Sequence, residues 1–289
     1  MDSAQCMTNA ALVANSPALN RLLGLLADQP AVLVQIESTQ GSVPREAATW
    51  MAVFADELIG TIGGGHLEHV AIADARIQLA ATDLVLPLHR KRFALGPSLG
   101  QCCGGVVNLV FRVVGADDRP QLAAGLQTER HPVALFGGGH VGNALVQVME
   151  PLPFALTWID SRDGVFPRPA PANVSCEHSQ PVQAAVRGLA PRSLVVIMSF
   201  SHAEDLDVLA ACLQRQRDFS DLPYIGLIGS RTKWATFRHR LEARGFTAAE
   251  LAHVTSPIGI AGIEGKEPAV IAVSVAAQLL QCVNASQGS

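Results

Sequence analysis

Short apolar runs alternate with helical patterns in the second half of the chain. The apolar runs lie at residues 133–136, 155–160, 194–200 and 224–230. Continuous apolar strands that are separated by helices are typical of a parallel sheet with both faces covered. We therefore predict an α/β architecture, with a Rossmann-like, doubly wound parallel-sheet domain at residues 132–289. The predicted helices lie at residues 141–150, 182–189, 206–214, 233–244 and 269–281.

The first half of the chain has a different pattern, in which strands cluster before and after one long helix. The strand-like segments lie at residues 31–39, 50–54, 57–64 and 106–114, and the helical ones at 18–27 and 67–81. This order favours a small N-terminal α+β domain at residues 1–115 with a mostly antiparallel sheet. The polar stretch at residues 116–131 separates the two halves, and we predict that it is the linker.

The composition excludes several classes of protein. Hydrophobic residues make up 49% of the chain and charged residues 16%, with a formal net charge of −4 and a mean hydropathy of +0.27. Disorder requires low hydrophobicity and high net charge, so a disordered chain is excluded. Because there is no excess of basic residues to hold a phosphate backbone, no nucleic-acid partner is expected.

No segment predicts a membrane span or a secretory signal. The apolar stretch at residues 269–283 is shorter than the about 20 residues that a spanning helix needs, and the N-terminus lacks a basic region followed by an apolar run. Six cysteines without a CxxC pair are too few for a disulfide scaffold, which suits a reducing compartment. We expect a cytoplasmic protein, and the low charged fraction favours a homodimer that buries part of its surface.

A glycine fingerprint lies between a predicted strand and a predicted helix. Its Gly-x-Gly-x-x-Gly spacing uses Gly137, Gly139 and Gly142, and His140 lies inside it. Such a turn lets the backbone approach a phosphate at a helix N-terminus, and Asp160 ends the next predicted strand, where an acidic residue binds a ribose hydroxyl. The motif predicts a nucleotide-like ligand, with a turn that only tightens strand–helix packing as the alternative.

A second glycine run, Gly63, Gly64 and Gly65, lies at the start of another predicted helix. Consecutive glycines free backbone N–H groups at the helix N-terminus, which is typical of a site for a phosphate or a pterin edge. Upstream, Arg45 lies in a turn of glycine and proline, and its rigid fork of donors suits a planar or phosphate acceptor. The alternative for the glycine run is a bulge that permits a close backbone crossing. The alternative for Arg45 is a surface arginine without a ligand.

Two adjacent cysteines, Cys102 and Cys103, follow Gln101 in a loop rich in glycine and proline. A thiolate that reacts or binds a soft metal needs partial exposure and donors that lower its pKa, and such a loop can provide both. Successive side chains of an extended backbone point to opposite faces, so we expect one cysteine to dominate, and Cys103 is preferred because it adjoins two glycines. A packed pair at the start of a strand is the alternative.

Ser201, His202 and Asp205 follow the predicted strand at residues 194–200. This is the edge where open α/β sheets place their ligands. The three residues are local in sequence and no Gly-x-Ser-x-Gly segment is present, which argues against a hydrolase triad. We expect His202 and Asp205 to orient or polarise a ligand, and we expect no catalytic set.

Seven segments of the chain form a recognisable combination. They are TQGSVPRE (39–46), GTIGGGHLE (60–68), LGPSLGQCCGG (95–105), LFGGGHVG (135–142), SHAEDL (201–206), YIGLIGSRTKWATF (224–237) and PIGIAGIEGKEPAVIAVSVAAQLL (257–280). Together, and in this order, they resemble the XdhC/CoxI family of xanthine dehydrogenase accessory proteins, over nearly the whole chain. The chain departs from the family at Phe200, which stands where the family often has the first histidine of a Thr-His-Ser-His loop.

The resemblance implies a chaperone for molybdenum cofactor (molybdopterin) rather than an enzyme. It implies an XdhC/CoxI-type N-terminal domain that carries the Cys-Cys loop, followed by a Rossmann-type half. Such a protein holds the cofactor while a cysteine desulfurase supplies its terminal sulfur. It then delivers the cofactor to an apo molybdenum hydroxylase, such as the xanthine dehydrogenase large subunit. Cys102 or Cys103 would face the molybdenum.

Two other classes of function stay open. An NAD(P)-dependent oxidoreductase would use the fingerprint at residues 137–142 with Asp160, but it would leave the Cys-Cys loop unexplained. A nucleotidyltransferase-like enzyme would need an acidic pair for magnesium, for which Asp160 and Asp163 are the candidates. A pterin that fluoresces after oxidation would distinguish the cofactor carrier from both.

Overall fold

The computed structural model describes residues 12–81, 88–95, 104–171 and 173–287, which form two units. One unit comprises residues 15–127, and the other comprises the chain from residue 128 onward together with a strand at residues 12–14. The polar stretch that we assigned to a linker, residues 116–131, folds as a 3-10 helix, a short α-helix and the beginning of a strand. Its polar character reflects the exposed sides of these elements.

The unit of residues 15–127 is built on a five-stranded antiparallel sheet. After the first strand of the chain, β1 (Leu12–Ala14), which belongs to the other unit, its strands are β2 (Ala31–Gln40), β3 (Trp50–Val53), β4 (Leu58–Gly60), β5 (His89–Ala94) and β6 (Val106–Val114). They are ordered β4-β3-β2-β6-β5. The predicted strand at residues 57–64 ends at Gly60, because the glycines that follow form a turn.

Three helices cover the two faces of this sheet. They are α1 (Pro17–Leu25), α2 (Gly65–Ala80) and α3 (Arg119–Gly125). Alternating burial along β6 sends Leu109 and Phe111 to the face that packs with Leu67 and Ala71 of α2. Side chains of α1 and α3 pack in a separate core on the sheet's other side. The period of two along the strands thus produces two cores in this unit.

The other unit contains a seven-stranded sheet. Its further strands are β7 (Thr128–Phe136), β8 (Phe154–Asp160), β9 (Val174–His178), β10 (Leu194–Ile197), β11 (Tyr224–Leu227) and β12 (Val254–Thr255). Six parallel strands are ordered β12-β11-β10-β7-β8-β9, and β1 pairs antiparallel with the beginning of β7. The chain moves outward from β7 to β9 and then returns to β10 beside β7. This reversal is the switch point at which doubly wound sheets bind ligands.

Helices lie on both faces of the parallel sheet, as the buried strands predicted. They are α4 (His140–Met149), α5 (His202–Phe219), α6 (Arg231–Ala243), α7 (Ala248–Leu251) and α8 (Pro268–Gln287). Side chains of α4 and α8 pack in one core, and those of α5, α6 and α7 in the other. The predicted helix at residues 182–189 is a 3-10 helix, Val182–Gly188. The predicted fold class, an α+β domain followed by a doubly wound domain, is confirmed.

Within the described part of the chain, no helix is both long and apolar enough to span a bilayer.

Candidate functional site

The glycine fingerprint lies at the switch point of the parallel sheet, between the ends of β7 and β10. A Cβ atom on Gly137 would lie 2.0 Å from the carbonyl oxygen of Met198, and Gly137 has a φ of +123°. The Met198 N–H donates to the carbonyl of Phe136 at 2.9 Å. The loops after β7 and β10 are therefore packed backbone to backbone, which only glycine permits at position 137.

The other two glycines of the fingerprint differ in their surroundings. A Cβ on Gly142 would lie 2.1 Å from the carbonyl oxygen of Gly137, which also accepts a hydrogen bond from Trp158 Nε1 at 2.9 Å. Gly139 is exposed, and beyond its two chain neighbours no described residue lies within 4 Å of its ideal Cβ position. Packing therefore accounts for Gly137 and Gly142, whereas Gly139 leaves space in front of the first turn of α4.

Asp160 holds the glycine loop from the end of β8. Its carboxylate is buried and accepts hydrogen bonds from the Gly138 N–H at 2.6 Å and the Arg162 N–H at 2.8 Å. The Arg162 guanidinium also donates to both carboxylate oxygens, at 2.9 and 2.8 Å. Burial opposes ionisation, but the hydrogen bonds from Arg162 and Gly138 outweigh it and lower the pKa of Asp160. Asp160, which we expected to bind a ribose hydroxyl, is instead hydrogen-bonded to Gly138 and Arg162 of the protein itself.

Arg162 connects Asp160 to the loop after β10, because its guanidinium contacts Phe200 in that loop. Its guanidinium carbon lies 4.5 Å from the centre of the Phe200 ring, which is 64% exposed. The neighbouring Ser161 hydroxyl donates to Glu204 Oε1 at 2.6 Å. The sequence analysis did not assign a role to Arg162 or Glu204. The sequence signal that could have identified them is proximity: Arg162 lies two residues after Asp160, and Glu204 lies two residues after His202.

The buried carboxylate of Asp205 and the half-buried ammonium of Lys233 form an ion pair beneath the same loop. The Lys233 ammonium donates to Asp205 Oδ2 at 2.6 Å and to the Ile228 carbonyl at 2.8 Å. The other carboxylate oxygen of Asp205 accepts from the Ser199 N–H at 2.7 Å. Asp205 thus fixes the loop. His202 begins α5, is exposed, and its ring meets Phe237 edge-on at 6.2 Å.

In the unit of residues 15–127, the second glycine run binds a carboxylate of the protein itself, that of Glu68. Glu68 Oε2 accepts from the N–H groups of Ile62 and Gly64 at 3.0 and 3.1 Å, and from the Thr61 hydroxyl. Gly63, Gly64 and Gly65 have positive φ angles, which brings these N–H groups around one point. The donors expected to bind a ligand's anionic end therefore bind Glu68.

Three of the sequence motifs meet at one end of the antiparallel sheet. A Cβ on Gly63 would lie 2.9 Å from Pro44 and 3.3 Å from Cγ of Arg45. A Cβ on Gly41 would lie 3.3 Å from the Cα of Gly105. The segment at residues 41–45 therefore contacts both the glycine turn and the end of the Cys-Cys loop. Arg45 is exposed there.

Gln101, Cys102 and Cys103 lie outside the described residues. Both ends of the segment that carries them are described, because the Leu95 N–H donates to the Gly105 carbonyl at 2.7 Å. A Cβ on Gly105 would lie 2.5 Å from the carbonyl oxygen of Ser42. The ends of this segment are thus joined to each other, and the Gly105 end packs against residues 41–43.

The described cysteines lie elsewhere and have a different chemistry. Burial raises the pKa of the Cys212 thiol to about 12, and it also raises the pKa values of Cys176 and Cys282. These thiols stay protonated near neutral pH, which is the opposite of what a metal-binding thiolate requires. Within the described ranges, no three His, Cys, Asp or Glu side chains are grouped as metal ligands.

Comparisons with known proteins cover both units. A family model described as the XdhC Rossmann domain matches residues 133–279, and one described as the XdhC and CoxI family matches residues 25–86. The Escherichia coli (strain K12) protein YqeB is 27% identical over 260 residues, which is 90% of this chain and 44% of YqeB. The chain therefore spans less than half the length of that relative.

A solved structure shares the fold over almost its whole length. A crystal structure of a xanthine dehydrogenase from Bacillus halodurans matches with a TM-score of 0.71 and 19% sequence identity. The match covers 94% of this chain and 96% of that one. At this identity the likeness is one of fold.

Proposed function

Because this chain belongs to the XdhC and CoxI family, we propose that it takes part in the maturation of a molybdenum hydroxylase such as xanthine dehydrogenase. In this proposal it binds molybdenum cofactor, holds it while a cysteine desulfurase supplies the terminal sulfur, and delivers it to the apo hydroxylase large subunit. The observation that carries the proposal is that family models match segments in both units, at residues 25–86 and 133–279.

The end of the antiparallel sheet offers groups that suit such a cofactor. The cofactor combines molybdenum bound by dithiolene sulfurs, a pterin and a phosphate. Arg45 is an exposed cation with no ionic partner among the described residues, and it adjoins the glycine turn at Gly63. Cys102 and Cys103 belong to a segment whose Gly105 end packs against residues 41–43 of the same loop. A thiolate is a ligand that a sulfur-bound molybdenum accepts, and Arg45 would hold the phosphate.

In this proposal the protein is a carrier, so the amount of hydroxylase that it activates is stoichiometric with the cofactor that it delivers. The carboxylates of Asp160, at the end of β8, and Asp205, beneath the β10 loop, are paired with Arg162 and Lys233, so they position backbone rather than exchange protons. A homodimer is part of this proposal, because the chain has a low charged fraction, 16%.

Two observations favour a second candidate, a nicotinamide-dependent oxidoreductase. The order of the parallel strands and the open space at Gly139 are those of a dinucleotide site. The buried pairing of Asp160 with Arg162 disfavours it, because a ribose diol would have to displace a bidentate ion pair. Titration with NADH and NADPH, followed by the nicotinamide fluorescence, separates the two candidates.

Deleting the gene in a host that makes a molybdenum hydroxylase tests the proposal. We expect the host to assemble the hydroxylase protein without active cofactor, and plasmid-borne wild type to restore activity. The Cys102→Ala, Cys103→Ala double variant should fail to restore it, whereas Cys176→Ala should succeed. Full hydroxylase activity in the deletion strain would contradict the proposal.

A further inference from the structure

We propose that the unit of residues 15–127 binds a small monocarboxylic acid with an apolar body, in a cleft between α3 and the antiparallel sheet. The Arg112 guanidinium would bind the carboxylate, and leucine and valine side chains would cover the apolar body. The inference goes beyond the proposed function, because the cleft contains none of the residues assigned to the cofactor. Every described residue that lines the cleft belongs to this one unit.

The first observation is the cleft itself, which has a volume of about 230 Å³. Its apolar walls come from two strands of the sheet and from α3, namely Leu33, Val110, Leu122 and Leu126. Leu88 also lines it, directly before β5, and is 46% exposed. The cleft remains open because α3 has only seven residues and ends at Gly125, which has no side chain to fill it.

The volume of the cleft limits the size of the ligand. An apolar cavity of about 150 Å³ holds benzene, and sites for drug-sized ligands begin at about 300 Å³. The cleft therefore suits a single ring or a branched chain with a short substituent. An apolar body of this kind would cover side chains, including that of Leu88, which otherwise contact water.

The second observation is a cation without an ionic partner. Arg112 of β6 is in register with Leu33 of β2, is half-buried and lines the cleft. Among the described residues, its side chain has no hydrogen-bond or ion-pair partner, and no aspartate or glutamate lines the cleft. By contrast, Arg90 of β5, in register with Val110, is paired with Glu37 at 2.7 Å. The cleft therefore carries one positive charge that no described carboxylate neutralises.

The charge and the walls together define the class of ligand. A planar guanidinium offers two parallel donors to a carboxylate, and half-burial beside apolar walls makes that attraction stronger than it is in water. A phosphate dianion would bring a second charge that the cleft does not neutralise, and a neutral molecule would leave the cation unpaired. A monocarboxylate with one ring or one branched chain matches both features.

Binding of small acids to the full-length protein tests the site. The probes are benzoate, phenylacetate and 4-methylpentanoate, and the amide of each acid is its neutral counterpart. Calorimetry should give Kd values of about 1 mM for the acids, as expected for about ten heavy atoms. Each acid should bind about tenfold more tightly than its amide, because only the acid forms a charge-assisted pair with Arg112.

A matched pair of arginine variants tests the role of the charge. Arg112→Met keeps an unbranched apolar side chain and removes the charge, so it should abolish the preference for the acids. Arg76→Met removes an exposed arginine of α2, the helix on the other face of the sheet, and should keep the preference. A thermal melt of each variant controls for folding.

Methyl NMR locates the bound acid. The methyl signals of Leu33, Val110 and Leu122 should shift during the titration, since these side chains line the cleft. Those of Leu67 and Leu109, which pack on the opposite face of the sheet, should stay in place. Val110→Phe should weaken the binding of all three acids about tenfold, because the larger side chain fills part of the cleft.

Several results would overturn the proposal. They are no saturable binding of any of the three acids below about 10 mM, equal binding of acids and amides by wild type, an unchanged preference in Arg112→Met, or shifts confined to Leu67 and Leu109. Arg112 would then only cover apolar surface with its stem while its guanidinium stays hydrated. The assay contains no molybdenum, pterin or hydroxylase, so its failure and the failure of the proposed function are independent results.

Discussion

At the scale of single residues, the three glycines of one fingerprint serve two different purposes. Gly137 and Gly142 are required by backbone contacts at 2.0 and 2.1 Å from their ideal Cβ positions, whereas Gly139 faces open space. The fingerprint spacing is therefore partly a packing requirement between the loops after β7 and β10. Of the three glycines, only Gly139 leaves open space, at the start of the helix that follows it.

Alanine at these positions should separate packing from ligand binding. Gly137→Ala should destabilise the fold by about 3 kcal/mol or more, because it combines a backbone clash with a strained φ. Gly139→Ala should cost less than about 1 kcal/mol, the range for an exposed N-cap change. Urea denaturation measures both. Similar losses in the two variants would show that Gly139 is also held by packing.

Asp160 supports a prediction about pH. Its hydrogen bonds to Arg162 and Gly138 lower the pKa of the carboxyl in the folded state. Its stabilising contribution is therefore complete above the unfolded pKa of about 3.9 and is lost as the pH falls through the lower folded pKa. Asp160→Asn should lower the free energy of unfolding at pH 7 by about 2 kcal/mol, and the difference should shrink below pH ~4.

The control for this variant is Asp163→Asn, which changes an exposed carboxylate three residues away. It should leave the free energy of unfolding within about 0.5 kcal/mol of wild type. Denaturation curves at several pH values between 3 and 7 provide the measurement. A constant difference between wild type and Asp160→Asn across that range would refute the assigned pKa direction.

At the scale of elements, the start of α2 is stabilised by a carboxylate from its own first turn. Glu68→Ala frees the N–H groups of Ile62 and Gly64 and should lower the free energy of unfolding by about 1–2 kcal/mol. The freed donors should then bind an external anion. Inorganic phosphate is therefore expected to raise the Tm of Glu68→Ala more than that of wild type.

Glu46→Ala, in an exposed loop of the same unit, is the control for Glu68→Ala. It should neither destabilise the protein nor acquire a response to phosphate. If phosphate raised the Tm of wild type as much as that of Glu68→Ala, the turn would already be binding anions with Glu68 in place.

Sequence patterning predicted the buried strands and missed the polar ones. The strands β7, β8, β10 and β11 are continuous apolar runs, because helices cover both faces. By contrast, β5 reads HRKRFA and lies at the edge of its sheet, where only alternate side chains need burial and charge is tolerated. Its pairing with β6 is a tertiary contact that its local composition does not encode.

The candidate site was predictable in its parts but not in its connections. Asp160 was recognisable from its position at the end of a predicted strand, yet its partners depend on where the fold places Arg162 and Gly138. Glu68 is internal to a motif that was identified, but only the three-dimensional turn shows that it fills the anion position. The contacts among residues 41–45, the glycine turn and the Cys-Cys segment join positions about 20 to 60 residues apart, and no local pattern reports them.

At the scale of the whole molecule, each unit carries its own set of candidate residues. Arg45 lies in the unit with the antiparallel sheet, near the ends of the segment that bears Cys102 and Cys103. The glycine fingerprint and the Asp160–Arg162 ion pair lie in the unit with the parallel sheet. Each unit can therefore be tested by variants that leave the other unchanged.

The most direct test is the molybdenum and pterin content of protein purified from a host that makes the cofactor. Molybdenum is measured by mass spectrometry, and the pterin by its fluorescence after oxidation. We predict both in near-equal amounts in wild type and in Cys176→Ala, and a loss of most of the molybdenum in the Cys102→Ala, Cys103→Ala variant. Wild-type protein with neither molybdenum nor pterin, or a double variant with full molybdenum loading, would contradict the account.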